Sequence, residues 1–321
     1  MTEPGSERVQ TAAAAETIEA IADNLARVVH APEETLQLCT LCLVSEGHLI
    51  LEDFPGVGKT MLAKALARSL DASFSRMQFT PDLLPSDVTG VNVFNQRSNE
   101  FEFKPGPVFA NLLLVDEINR ASPKTQAALL ECMQEQQVTV DGFSYELGRP
   151  FMVMATQNPI EYEGTYPLPE AQLDRFTMRI AIGYPPLAEE AKMLTEQTAD
   201  PPLEALEPVA NAADAVSLAD DAKAIFVEES LNRYVVALLR STRADSRLYL
   251  GASPRAGIAL LRVAKARALA DARGFLQPDD VKAVAVPVLA HRLILAPEAR
   301  STGLTGEQII RETLEKTPVP V

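Results

Sequence analysis

The 321-residue sequence predicts an α/β protein, a parallel sheet covered by helices on both faces, followed by a smaller helical domain. Three observations carry that expectation. Short apolar runs at 48–52, 111–115 and 151–155 are each followed by a turn or helix signal, as buried parallel strands are. The first run leads through a glycine loop straight into strong helix formers, giving strand, loop, helix. Near Gly183-Tyr184-Pro185-Pro186 the texture changes to Ala-rich helical sequence, with no further apolar strand run.

Taken in order, residues 1–15 read as a polar, Ala-rich, flexible lead-in with little to bury. From Thr17 a helical period sets Ile18, Ile21, Leu25 and Val28 on one face. Ala31-Pro32 closes that helix, because the residue before proline is pushed out of the helical region. A second apolar helix is expected over 33–45, then the strand at 48–52 and the helix that opens at Lys59. Between the later strands two hairpins are predicted. Val91–Phe103 alternates on either side of Ser98-Asn99, and Val138–Tyr145 alternates on either side of Asp141-Gly142. The domain boundaries that follow are a lead-in over 1–15, an α/β core over 16–183 and a helical domain over 184–321.

Charge and cysteine usage narrow the function classes. Twenty-nine Lys and Arg against 44 Asp and Glu leave a net charge of −15. That disfavours sequence-independent binding to nucleic acid or anionic membrane, which requires clustered cations to replace counterions on phosphate. No apolar run is long enough to span a bilayer, and the acidic start MTEPGSERVQ is unlike a signal peptide, so membrane insertion is not expected and a cytoplasmic location is. Three cysteines make no disulfide framework, and Cys39 and Cys42 lie inside an apolar helix, where buried thiols are expected rather than metal or redox chemistry. His30, His48 and His291 are scattered and have no zinc-ligand spacing.

The chemistry concentrates at Asp53–Thr60, DFPGVGKT. A phosphate-binding loop reads G-x-x-x-x-G-K-[ST], and this segment matches at Gly58, Lys59 and Thr60 with Asp53 at the first glycine position. Pro55, Gly56, Val57 and Gly58 can still aim backbone N–H groups at phosphate oxygens, where Met61 begins the next helix with Lys59 and Thr60. Lys59 is expected on the β- and γ-phosphates and the Thr60 hydroxyl on Mg²⁺. Leu112–Glu117 is an apolar strand ending in adjacent carboxylates, which emerge on the side of the sheet where ligands bind. Asp116 is expected to hold Mg²⁺ through water and Glu117 to polarise the attacking water.

Together these segments resemble the AAA+ ATPases, and closely the MoxR family. The matching runs are EDFPGVGKTMLAKALA, FTPDLLPSDVTG, KPGPVFANLLLVDEINRASPKTQAALLECMQE, ATQNP, GTYPLPEAQLDRF and GASPRA, spanning 47–257. Aspartate at the first glycine position is usual in MoxR-like sequences. The resemblance implies a RecA-like core with a helical lid and two β-hairpin insertions, ATP and Mg²⁺ as cofactors, and ATP hydrolysis. It further implies that Asn158, in ATQNP, is the sensor that orients the attacking water. Arg175, in LDRF, is implied as the arginine finger acting on a neighbouring subunit, an effect worth ~10³–10⁵ in rate in analogous enzymes. Arg255, in GASPRA, is implied as the second sensor, touching the γ-phosphate of its own subunit. The resemblance also offers Arg120, in DEINR, as a further interface arginine, with its role left open.

A finger acting in trans implies a homo-oligomeric ring, expected as a hexamer. The family implies a chaperone-like remodeller or activator of a protein client, with a von Willebrand factor A domain protein as the candidate partner. Two rivals stand beside it: a motor on nucleic acid, which the net charge of −15 disfavours, and a nucleotide-dependent switch or scaffold with little turnover. The magnesium-chelatase ATPase subunit is a related family whose motif wording fits less well.

Overall fold

A computed structural model of the chain describes residues 4–158, 165–184, 190 and 203–319. Pro185 and Pro186, on which part of the expected domain boundary falls, lie outside the described residues.

The core is a parallel sheet of β1 (Leu49–Glu52), β2 (Phe74–Gln78), β5 (Leu112–Asp116), β8 (Met152–Gln157) and β9 (Met178–Ile180), in the order β2-β5-β8-β1-β9. The three central strands are those that the apolar runs predict. Their side chains alternate between two cores, because successive residues of a strand face opposite ways. Leu49, Leu51, Leu112, Leu114, Met152 and Met154 join the core that holds α1 (Pro4–Ala26), α2 (Glu33–Val44) and α3 (Lys59–Ser69). Ile50, Leu113, Val115, Val153 and Ala155 face the other core, beneath α5 (Pro123–Glu135). A strand buried on both faces reads as an unbroken apolar run, which is why these three were legible. Edge strand β2 (FSRMQ) is half-exposed and mixed in character, and β9 has three residues, so neither run announces itself.

Both hairpins are present. After α4 (Pro85–Thr89), β3 (Gly90–Asn95) pairs antiparallel with β4 (Glu100–Pro105), and β6 (Gln137–Val140) pairs with β7 (Phe143–Glu146). Asp141 (φ 51°) and Gly142 (φ 84°) form the second turn with both residues in the left-handed region, the geometry that Asp-Gly favours. The hairpins meet: the Phe103 and Tyr145 rings stack 4.0 Å apart, and Asn92 Nδ2 donates to Asp141 Oδ2 at 2.7 Å.

Helix α1 starts at Pro4, ahead of Thr17 where the helical period is expected to set in, and Ala14 is buried on the same face as Ile18, Ile21 and Leu25, because α3 and the C-terminal helices cover that face. The C-terminal region is helical but not wholly so. It contains α7 (Ala212–Ala224), α8 (Glu229–Ala244), α9 (Pro254–Ala270), α10 (Pro278–Leu289), α11 (Pro297–Ser301) and α12 (Gly306–Lys316). It also has an antiparallel pair, β10 (Leu248–Leu250) with β11 (Ile294–Leu295), too short to leave a strand signature. Helix α9 packs on α1 and α2 as well as on α7 and α10, so its buried residues continue the core beneath the sheet.

Cys39 and Cys42 are fully buried in α2, as expected, and burial pushes the Cys39 thiol up to about 12. No helix among the described residues is long and apolar enough to cross a membrane.

Candidate functional site

The loop from Asp53 to Gly58 joins β1 to α3 at the C-terminal edge of the sheet. Gly56 (φ 87°) and Gly58 (φ 96°) are both left-handed, and a Cβ at either would meet open space. Backbone conformation, not crowding, is therefore what reserves these positions for glycine. No side chain caps α3, which leaves its first N–H groups and the positive end of its dipole facing the loop. That is an anion site by construction.

A cavity of about 410 Å³ opens there. Pro55, Gly56, Gly58, Lys59, Thr60 and Met61 supply one wall. Asp116 and Glu117, at the end of β5, supply the second, and Asn158, just after β8, the third. Val57 does not line it, and its side chain enters the apolar core instead. Pro55, Gly56, Gly58, Lys59, Thr60 and Met61 converge with Asp116, Glu117 and Asn158 on one space, because the C-terminal ends of β1, β5 and β8 are neighbours in the sheet.

The carboxylates are held differently. Asp116 is buried, accepting from Arg76 Nε at 2.7 Å and from the Thr156 hydroxyl at 3.3 Å. Glu117 is left-handed (φ 54°), with its N–H bonded to Thr156 Oγ1 at 2.9 Å. Its Oε2 accepts from Gln78 Nε2 at 2.6 Å and from Arg120 Nη1 at 2.7 Å. Lys59 Nζ donates to the Asp53 carbonyl at 2.6 Å, across the mouth of the loop. Thr60 and Asp116 offer hard oxygen donors beside a phosphate cradle, a set that suits Mg²⁺, which takes one or two protein oxygens and the rest from phosphate and water.

The geometry also accounts for Asp53. Its Oδ2 accepts from the N–H groups of Ile182 (2.7 Å) and Gly183 (2.6 Å), and its Oδ1 from that of Phe54 (2.8 Å). The carboxylate fastens the loop to the segment that leaves β9.

Arg175 and Arg255 are not in this cavity. Arg175 lies in the turn between α6 (Glu170–Leu173) and β9. Met178 pairs with Leu49, the first residue of β1, whereas the loop follows Glu52, the last. The four residues of β1, at about 3.3 Å each, set the two edges roughly 10 Å apart before side chains are added. Arg255 is on Arg175's side. Its Nη1 reaches Gln134 Oε1 at 3.4 Å, in the last turn of α5, and the neighbouring Met133 carbonyl bonds His48 just before β1. The docking of α9 against α1 and α2 holds Arg255 at that edge, away from the loop of its own chain. Arg76, Gln78 and Thr156 are the site residues that sequence reading missed. Only the period of two on β2 and β8, combined with the β2–β5–β8 register, turns them towards the carboxylates.

Residues 48–178 match the model of the ATPase family associated with various cellular activities (AAA), and 240–313 match the AAA lid domain. The chain is 39% identical over 318 residues to chaperone MoxR1 of Mycobacterium tuberculosis, covering 96% of this chain and 84% of that one. It is 32% identical to protein MoxR of Methylorubrum extorquens, covering 92% and 93%. It is 48% identical to the uncharacterized YeaC protein of Bacillus subtilis, covering 93% of each. A crystal structure of a candidate ATPase from Cytophaga hutchinsonii superposes with a TM-score of 0.91 at 38% identity, covering 99% of each chain.

Proposed function

The chain belongs to the MoxR family of AAA+ ATPases, and on that premise we propose that it hydrolyses ATP in the loop cavity to remodel or activate a protein client. The observation that carries the reading is the convergence of Lys59, Thr60, Asp116, Glu117 and Asn158 on one cavity at the ends of three parallel strands. In the proposed cycle Lys59 leaves the Asp53 carbonyl for the β- and γ-phosphates, which the uncapped N-terminus of α3 also attracts. The Thr60 hydroxyl would hold Mg²⁺ directly and Asp116 through water, where the ion would supply positive charge against that developing on the phosphate oxygens. Glu117 polarises the attacking water and Asn158 orients it.

Arg175 and Arg255 serve the nucleotide of a neighbouring subunit. Support comes from their position at the edge of the sheet away from their own loop. A lone subunit is then incomplete, so the active form is a ring, taken as a hexamer, in which residues 16–183 form the nucleotide-binding core and 184–321 the lid. The client is a protein, with a von Willebrand factor A domain protein as the candidate partner, and the site of action is the cytoplasm. A net charge of −15 favours a protein client over a polyanion.

A second reading is a nucleotide-dependent switch with little turnover. It is favoured by the capture of Glu117 between Gln78 and Arg120. Mg²⁺-dependent ATP hydrolysis by the purified chain, lost with nucleotide affinity in Lys59→Ala, tests the main reading. ATP binding with negligible turnover would favour the switch, and unchanged affinity in Lys59→Ala would contradict the loop assignment.

A further inference from the structure

The turn that carries Arg175 is gripped from the C-terminal region through the residue beside it. Arg292, 3% exposed at its side chain, spends its guanidinium entirely inside the molecule. Its Nε donates to Asp174 Oδ1 at 2.7 Å and its Nη2 to the Phe176 carbonyl at 2.7 Å. Its Nη1 donates to the carbonyls of Thr177 and Val288. The other carboxylate oxygen of Asp174 accepts from the Ser253 hydroxyl at 3.1 Å. Ser253 is the N-cap of α9, its oxygen taking the Ala256 N–H, and Arg255 lies in the first turn that this cap orders.

Asp174 is therefore the meeting point of two linkages, one to the turn carrying Arg175 and one to the helix carrying Arg255. Arg292 has all its donors engaged with this chain and so is not itself a candidate for reaching a nucleotide. It and Arg255 also repel each other, which the Asp174 carboxylate between the two linkages offsets. The Arg175 guanidinium has no ion-pair partner among the described residues.

We infer that Asp174 and Arg292 are positioning residues, a clamp that sets Arg175 and Arg255 as one pair for delivery to the nucleotide of a second copy of this chain. The inference rests on the trans reading proposed above. Charge stabilisation of a transferring phosphoryl group is steeply geometric, and a misplacement of about 1 Å can cost ~10²-fold in rate. A clamp variant therefore keeps a sound loop cavity but presents a poor arginine pair to its neighbour.

The test uses the full chain with Asp174→Asn, and with the milder Ser253→Ala, which leaves Arg292 paired. The expected result is ATP affinity like that of the parent, with turnover lower by ~10²-fold for Asp174→Asn and by less for Ser253→Ala. Mixing either variant with Glu117→Gln subunits, whose own sites are dead but whose arginines are intact, restores turnover above the sum of the two alone. Unchanged turnover in both variants, or a loss that no mixture relieves, overturns the clamp. If Asp174→Asn fails to fold, Ser253→Ala decides by the same two readouts. Arg175→Ala in the same mixtures separates the two ideas. If it too is not rescued, the trans reading has failed. If it is rescued and the clamp variants are not, the clamp alone has failed.

Discussion

Gln78 donates its side-chain amide to Glu117 Oε2 at 2.6 Å, so the carboxylate assigned to polarise water is tied to the edge strand of the sheet. Arg120 holds the same oxygen at 2.7 Å. Glu117 is thus restrained, and in the proposed cycle it is released towards the γ-phosphate.

Gln78→Ala removes one of the two restraints and should raise basal ATP turnover. A hydrogen bond to a charged, partly exposed group is worth about 1 kcal/mol, so an increase of about fivefold is expected. Steady-state hydrolysis at saturating ATP checks it. A rate that falls would mean that Gln78 helps turnover and does not restrain it.

Asp53→Gly brings the loop closer to the common phosphate-loop consensus and should nonetheless weaken the protein. The substitution strips the acceptor from the N–H groups of Phe54, Ile182 and Gly183. An orphaned buried donor costs about 1–3 kcal/mol. The expected outcome is a melting midpoint lower by several degrees and looser nucleotide binding, with a smaller loss in Asp53→Asn, which keeps an acceptor oxygen. A glycine variant as stable as the parent would remove Asp53 as the fastening of the loop.

Acid should destabilise the fold through His48. Its Nδ1 accepts the Val153 N–H at 3.0 Å while its Nε2 bonds the Met133 carbonyl, so the neutral ring fits both partners and a second ring proton would meet a donor. Burial pulls its pKa from 6.5 down to about 4. Between those values the unfolded chain takes up a proton that the native state refuses. The stability due to His48 is complete above pH 6.5 and is lost as pH falls towards 4, roughly 3 kcal/mol in all. Urea denaturation at pH 7 and pH 5 measures it, and His48→Gln should flatten the difference. His291 leaves part of the slope in that variant, since burial and Arg292 push its pKa down as well. An unchanged slope in His48→Gln would exclude the assignment.

The legible part of this site is the part contiguous in the chain. Gly56 through Thr60 need their neighbours only to turn and to start a helix, and Asp116-Glu117 need only to end a buried strand. Arg76 and Gln78 were hidden because they lie on a half-exposed edge strand, and only its register with β5 turns them towards the carboxylates. Asp53 read as a departure from the loop pattern because its partners, Ile182 and Gly183, are remote in sequence. The place of Arg255 is not legible locally, because no pattern in the sequence records how α9 docks on α1 and α2. The helical start at Pro4 is hidden for a related reason: the face carrying Ala14 is covered by tertiary contacts that an Ala-rich stretch does not advertise.

Glu117→Gln tests the central claim most directly, by ATP affinity and turnover measured on the same preparation. The side chain keeps its shape and loses only its charge, so Mg²⁺-ATP should still bind while hydrolysis falls by ~10²–10⁴-fold, the usual contribution of a positioned base. Turnover near that of the parent would contradict the account.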